Sequence, residues 1–206
     1  MKLIFILSGL IKIMDIKDLI TFILTLWGLI IATKGLVTWR KQIKGTKEFE
    51  VAYDLNFSVL KLRDAIKHVR NPAIWPSESS KAVEYLKAKH PEKSEGDIKG
   101  NSHAYVYEMR WDEITNAYTE IEARLLAAEV LWGSEILNLI KPLDRKVTEL
   151  NIALKQYFQP EFRIEGFDKL HNIIYNQDVQ NGEDDFGKEV TKYIQDIANY
   201  LKPKIN

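Results

Sequence analysis

Residues 19–39, LITFILTLWGLIIATKGLVTW, are 21 consecutive positions with a single charge, Lys34. No other feature of the chain restricts its fold so sharply. About 20 apolar residues in a helix cross the roughly 30 Å hydrocarbon core of a bilayer, whereas a buried helix of a soluble domain rarely stays apolar on every face for so long. Lys34 lies five residues from the end of the run, where its long stem carries the charge to the headgroups. Trp39, then Arg40, Lys41 and Lys44, supply an amphipathic ring and fixed cations for a membrane interface. A transmembrane helix is expected over residues 18–39, followed by a basic juxtamembrane linker over 40–47.

The charge pattern points the same way. Formal net charge is zero, yet residues 1–45 hold seven Lys/Arg against Asp15 and Asp18, which leaves 22 basic and 27 acidic residues beyond. The basic excess beside the apolar run suits anionic membrane lipid. The acidic remainder argues against nucleic acid as a partner, which calls for a basic stripe. Arg40, Lys41, Lys44 and Lys47 place the following body on the cytoplasmic side of the inner (plasma) membrane by the positive-inside rule. Lys2, Lys12 and Lys17 oppose that bias, less so if translation starts at Met14. Residues 1–17 are read as a short interfacial segment or the product of an upstream start. Within them residues 3–11 resemble a signal h-region, but Lys12 interrupts it and no small-residue cleavage site follows. Gly28, Ala32 and Gly35 form a small-residue stripe that lets two helices approach closely, so a homo-oligomer is open.

Beyond the linker, over residues 48–206, three apolar repeats near 3.5 residues stand out. They are Ala52, Leu55, Val59, Leu62, Ile66, Val69; then Trp111, Ile114, Tyr118, Ile121, Leu125, Ala128, Trp132; then Ile136, Ile140, Leu143, Val147, Leu150, Leu154, Tyr157. Stripes of this type, held for about three heptads, predict helices packed side by side along coiled-coil-like seams. The first helix is expected to begin near Thr46 as its cap and to end at Asn71, because Pro72 disfavours a helical residue before it. A short helix is expected over residues 80–89. Residues 90–102, HPEKSEGDIKGNS, read as a mobile loop, with Ser102 opening the next helix. Gly133-Ser134 turns that helix into an antiparallel hairpin. Pro142 is expected to kink the return helix or reset its first turn, and Pro160 to close it. A short helix over residues 166–176, an acidic turn at 181–185 and a last helix over 186–201 complete the reading. No stretch keeps strand-like alternation for more than a few residues. The expected fold is all-α, one N-terminal transmembrane helix followed by an antiparallel helical bundle.

Chemistry is sparse. The chain has no cysteine, which removes disulfides, thiolate nucleophiles and Cys-based metal sites. His68, His90, His103 and His171 lack partners at i+3 or i+4, and Asp168-x-x-His171 stands alone where a di-iron bundle needs two such motifs. Neither a phosphate-binding glycine loop nor a nucleophile elbow occurs. No catalytic residue, metal or cofactor is therefore expected. The closely spaced acids Glu120/Glu122 and Asp184/Asp185 read as solvated surface. Arg63, Asp64 and Arg70 are more informative, since Arg63 and Arg70 are seven apart beside the apolar seam. They are expected to pair with acids of a neighbouring helix, such as Glu108, Asp112 or Glu113, or else to contact an anion or partner. Trp75, Tyr105, Tyr107, Trp111, Tyr118 and Trp132 read mainly as core packing, with Trp75, in a turn, as a possible exposed contact.

The membrane exit Trp39-Arg40-Lys41-Gln42-Ile43-Lys44-Gly45-Thr46, then Glu48-Phe49-Glu50 and Ala52, resembles an uncharacterised class of small bacterial single-pass membrane proteins. Leu62-Arg63-Asp64-Ala65-Ile66 and Val69-Arg70-Asn71-Pro72 resemble the next two blocks of that class. The likeness covers roughly residues 20–75 in sequence and the later helices in layout. It implies the architecture, a span and a helical cytoplasmic body, and no activity. The expected role is a membrane-anchored interaction or scaffold module with a protein partner or a second copy. The alternatives are an accessory or sensor subunit of a membrane complex, such as a stress or phage-defence system, and an enzyme on lipid headgroups.

Overall fold

The computed structural model describes residues 15–159, 164, 166–175 and 184–205, and among them the chain is all-α, with six helices and no strand. They are α1 (Ile16–Val69), α2 (Pro76–Lys89), α3 (Glu95–Trp132), α4 (Glu135–Phe158), α5 (Phe167–Ile174) and α6 (Asp185–Ile205). The readings made for residues 1–14, for Pro160 and for positions 181–183 lie outside the described residues. The chain divides into two compact units, Met1–Lys47 and Glu48–Asn206, and α1 contributes to both.

In the first unit α1 carries the apolar run, whose side chains are exposed throughout. Three of its hydroxyls are satisfied locally: Thr21 donates to the Lys17 carbonyl, Thr25 to Thr21, and Thr33 to Leu29 and Ile30. Such back-bonding satisfies these three hydroxyls without water. Thr46 does not open a helix, because α1 continues through residues 40–47. That stretch holds no proline, and Gly45 alone costs only about 1 kcal/mol relative to alanine.

In the second unit all three predicted seams face the core. Every residue of the first is buried, as are Ile114, Ile121 and Ala128 of the second and all of the third except half-buried Tyr157. Pairings across the seams fix the direction of the helices. Asp54, Lys61 and His68 of α1 meet Arg124, Glu120 and Glu113 of α3, so one number rises as the other falls. The same holds for Tyr107 with Phe158 and Tyr118 with Asp144 between α3 and α4. Gly133, at φ 78°, makes the turn between those two, a backbone conformation that glycine adopts without penalty. α6 closes the bundle through Lys146–Glu189 to α4 and Trp132–Tyr200 to α3.

Residues 90–102 are not one loop. Ser94 caps α3, its Oγ accepting from the Asp97 N–H at 3.2 Å, and Glu95 and Asp97 put negative charge on the first turn. This Ser-x-x-Asp cap outweighs Gly96 and Gly100, and Ser102 lies buried inside the helix. Likewise α4 runs from Glu135 to Phe158 through Pro142.

Truncating Leu62 or Leu150, both fully buried, to alanine is expected to cost roughly 2–5 kcal/mol. The same change at Leu126, 70 % exposed, should cost under about 0.5 kcal/mol. Urea unfolding of the full-length protein in detergent micelles, followed by tryptophan fluorescence, measures both.

Candidate functional site

Two buried arginines organise one end of the body. Arg110, on α3, is 2 % exposed. It donates to the carbonyls of His68, Asn71 and Ala73, which end α1 and lead to α2, and holds Glu78, in the first turn of α2, through Nε and Nη2 at 2.8 Å each. Arg70 does the same at a second corner. It donates to the carbonyls of Asn172, Ile173 and Tyr175 at the end of α5, and its Nη1 and Nη2 grip Asp184 at 2.7 and 2.8 Å. Asp184 in turn caps α6 by accepting from the Gly187 N–H at 2.9 Å. Each guanidinium therefore supplies donors to carbonyls at and just beyond one helix C-terminus and is neutralised by a carboxylate at the next N-terminus.

These contacts correct the expected pairings. Arg70 binds Asp184 and not an acid of α3, and Arg63 turns to its neighbour Asp64 at 2.8 Å. Glu113 goes to His68, whose other ring nitrogen meets Glu78. The reason is helical phase. Lys61 and His68 face α3, and Arg63 and Arg70 follow each by two residues, about 200° further round. Asp184, read as solvated, is 4 % exposed, whereas Asp185 stays in solvent. Arg110 was missed, although its position was readable: it stands four residues before Ile114 and seven before Ala117, in the middle of a buried stripe.

The flank of α1 that carries Arg63 and Arg70 forms, with α6, a cavity of about 470 Å³. Its lining joins Arg63, Lys67 and Arg70 to Lys188, Thr191 and Lys192 over an apolar floor of Ile66 and Val190. A second cavity of about 560 Å³ lies among α2, α3 and α4, walled by Tyr105, Tyr107, Trp111 and Phe158. Tyr105 stacks on Tyr85 at 4.5 Å, and burial with the hydrogen bond between their hydroxyls pushes its phenol up to about 12. Tyr157 packs edge to face on Phe158 and on Tyr175, Tyr107 packs edge to face on Tyr175 and tilted on Phe158, and burial raises the Tyr107 and Tyr175 phenols.

The remaining predicted residues are spread out. Trp39, Arg40, Lys41 and Lys44 are exposed on α1, and Gly28 and Gly35 have open space around them, with Ala32 exposed between. Trp75 is 61 % exposed, while Trp111, Tyr118 and Trp132 pack against the core. His90 lies beside Glu92, His103 is exposed, and His171 packs on Tyr175. A feature sequence reasoning overlooked is a ladder on α1: Phe49, Tyr53 and Phe57 stack at 6.1 and 6.4 Å and are all exposed, with Lys61 over the last ring. The four-residue spacing opposite the seam was its signal. Compared with known protein families, curated proteins and solved structures, the chain matches none.

Two predictions follow from the corners. A Cβ at Gly187 would collide with the Asp184 carboxylate and lie 3.2 Å from Nη1 of Arg70. Gly187→Ala is therefore expected to destabilise by roughly 1–3 kcal/mol, whereas Gly100→Ala, with open space around it, should stabilise by up to about 1 kcal/mol. Thermal unfolding of the two variants compares them directly.

The hydrogen bonds from Arg110, with help from the Trp75 N–H, hold the Glu78 carboxyl at about 2, against an ordinary 4.5. A lowered folded-state value means that the stabilisation is complete above pH 4.5 and is lost as pH falls towards 2. The stability gap between wild type and Glu78→Gln should be on the order of 2–3 kcal/mol at pH 7 and shrink steadily below pH 4.5. A gap independent of pH in that window would contradict the assignment.

Proposed function

We propose that the chain is a single-pass membrane protein whose helical body is an interaction module on the cytoplasmic side of the plasma membrane. The anchoring half of this reading is supported by the apolar run, none of which is buried in the structure. Isolated exposed leucines are ordinary, but a contiguous apolar surface of this size on a soluble protein marks a contact with lipid or protein. Orientation rests on Arg40, Lys41, Lys44 and Lys47 directly after the run.

The observation that carries the interaction half is the Phe49, Tyr53, Phe57 ladder. Aromatic rings bring large contact area at low entropic cost and dominate interface hot spots. Here three of them stand on the face of α1 turned away from its own core. The partner is a protein or a second copy of the chain.

Native membranes carrying a C-terminally tagged copy test both halves. The protein should stay in the membrane pellet after alkaline carbonate washing, with the tag accessible only from the cytoplasmic side. Purified in mild detergent, it should carry a stoichiometric protein partner or run as a homo-oligomer by native mass. Tyr53→Glu with Phe57→Glu should abolish that association and leave unfolding in urea nearly unchanged. A partnerless monomer from native membranes would overturn the interaction reading.

A further inference from the structure

The cavity between α1 and α6 has a charge at odds with the body around it. Five cationic side chains line it, Arg63, Lys67, Arg70, Lys188 and Lys192, against one acid, Asp184. Beyond residue 45 the chain as a whole is acidic, with 27 Asp/Glu to 22 Lys/Arg. The cations are not equally free. Arg70 and Asp184 neutralise each other in the wall. Arg63 is held by Asp64, which also feels Lys67 nearby and is lowered by both, the Arg63 hydrogen bond first. Lys188 reaches Asp185 only at 3.8 Å, with both side chains in solvent. Lys67 and Lys192 have no hydrogen bond or ion pair among the described residues.

The placement of these groups follows from helical spacing. Arg63 and Lys67 form one i, i+4 row on α1, and Lys188 and Lys192 form another on α6. On α6 the Thr191 hydroxyl and the Gln195 amide, one of whose N–H groups donates to Asn199 at 3.0 Å, also line the cavity, and Ile66 and Val190 supply the apolar floor. Two rows of cations converging on a concave space focus positive potential there, because low-dielectric walls concentrate the field of the charges that line them. Lysine ammonium groups act as mobile point charges that close on an oxyanion from several directions, and arginine adds a planar fork.

We propose that this cavity binds a phosphate-bearing anion, with Lys67 and Lys192 as the principal ligands and Lys188, Thr191 and Gln195 completing the shell. A mono- or diphosphate group carries more anionic oxygens and more charge than a single carboxylate to share between the two rows. The phosphate belongs either to a free phosphorylated metabolite or to a lipid headgroup. The assignment rests on the cavity alone and stands independently of the aromatic ladder.

The test uses the full-length protein in neutral detergent micelles, with sodium pyrophosphate as the probe and sodium chloride balancing ionic strength. Pyrophosphate is expected to raise the unfolding midpoint saturably, and calorimetry should give a defined affinity. Lys67→Gln with Lys192→Gln should weaken that affinity at least ten-fold while leaving the midpoint without pyrophosphate unchanged. The paired arginine replacements Lys67→Arg and Lys192→Arg should retain binding, and Lys81→Gln with Lys99→Gln, on α2 and α3, should have no effect. Reconstitution into nanodiscs separates the two sources. If a headgroup is the ligand, anionic phosphatidylglycerol discs suppress the pyrophosphate response that phosphatidylcholine discs allow; if the ligand is free, both discs respond alike. Absence of a saturable response in wild type, or equal binding by wild type and the double glutamine variant, would overturn the proposal.

Discussion

The body depends on how the carbonyls at its buried helix ends are satisfied. A helix leaves four C=O groups without partners at its C-terminus, and inside a protein each unpaired one is costly. α1 and α5 both end against other elements, and in both places a guanidinium from a different helix supplies donors to carbonyls at and just beyond the helix end. The carboxylates of Glu78 and Asp184 then make the burial of a full positive charge tolerable. Removing one member of such a pair leaves the other buried and uncompensated, which is why these corners, more than any single leucine, define where the chain turns. α2 and α6 take their starting points from them.

Much of this architecture was readable from residue order and some of it was not. The seams were legible because apolar periodicity is a local signal: the positions from Ala52 to Val69 and from Ile136 to Leu154 declare their face within two turns. The start of α3 was misread because glycines and charges outvoted the Ser94 cap. Arg63 and Arg70 were recognised as notable, yet their partners were misassigned. Periodicity says which side of a helix is apolar, but not which neighbour lies on each polar flank. Asp184 looked solvated for the same reason, since its burial is conferred by a residue 114 positions away.

The cavity between α1 and α6 shows how one packing decision shapes another. By gripping Asp184, Arg70 seats the first turn of α6 against the end of α1. The helical repeat then carries Lys188 and Lys192 alongside Arg63 and Lys67. The same interaction that closes the core thus gathers like charges on its outer side.

Arg70 also orders events during synthesis. Its partner is translated 114 residues later, an interval of roughly 6–23 s at 5–20 residues per second. Throughout that interval the last helix does not yet exist, so the flank of α1 stays open to water and to any binding protein at hand. Residues 19–39, made earlier still, emerge long before the bundle can close. The nascent chain therefore makes its apolar run first and its bundle second, and a stall or truncation between Val69 and position 184 leaves a protein with its first helix made and its core unfinished.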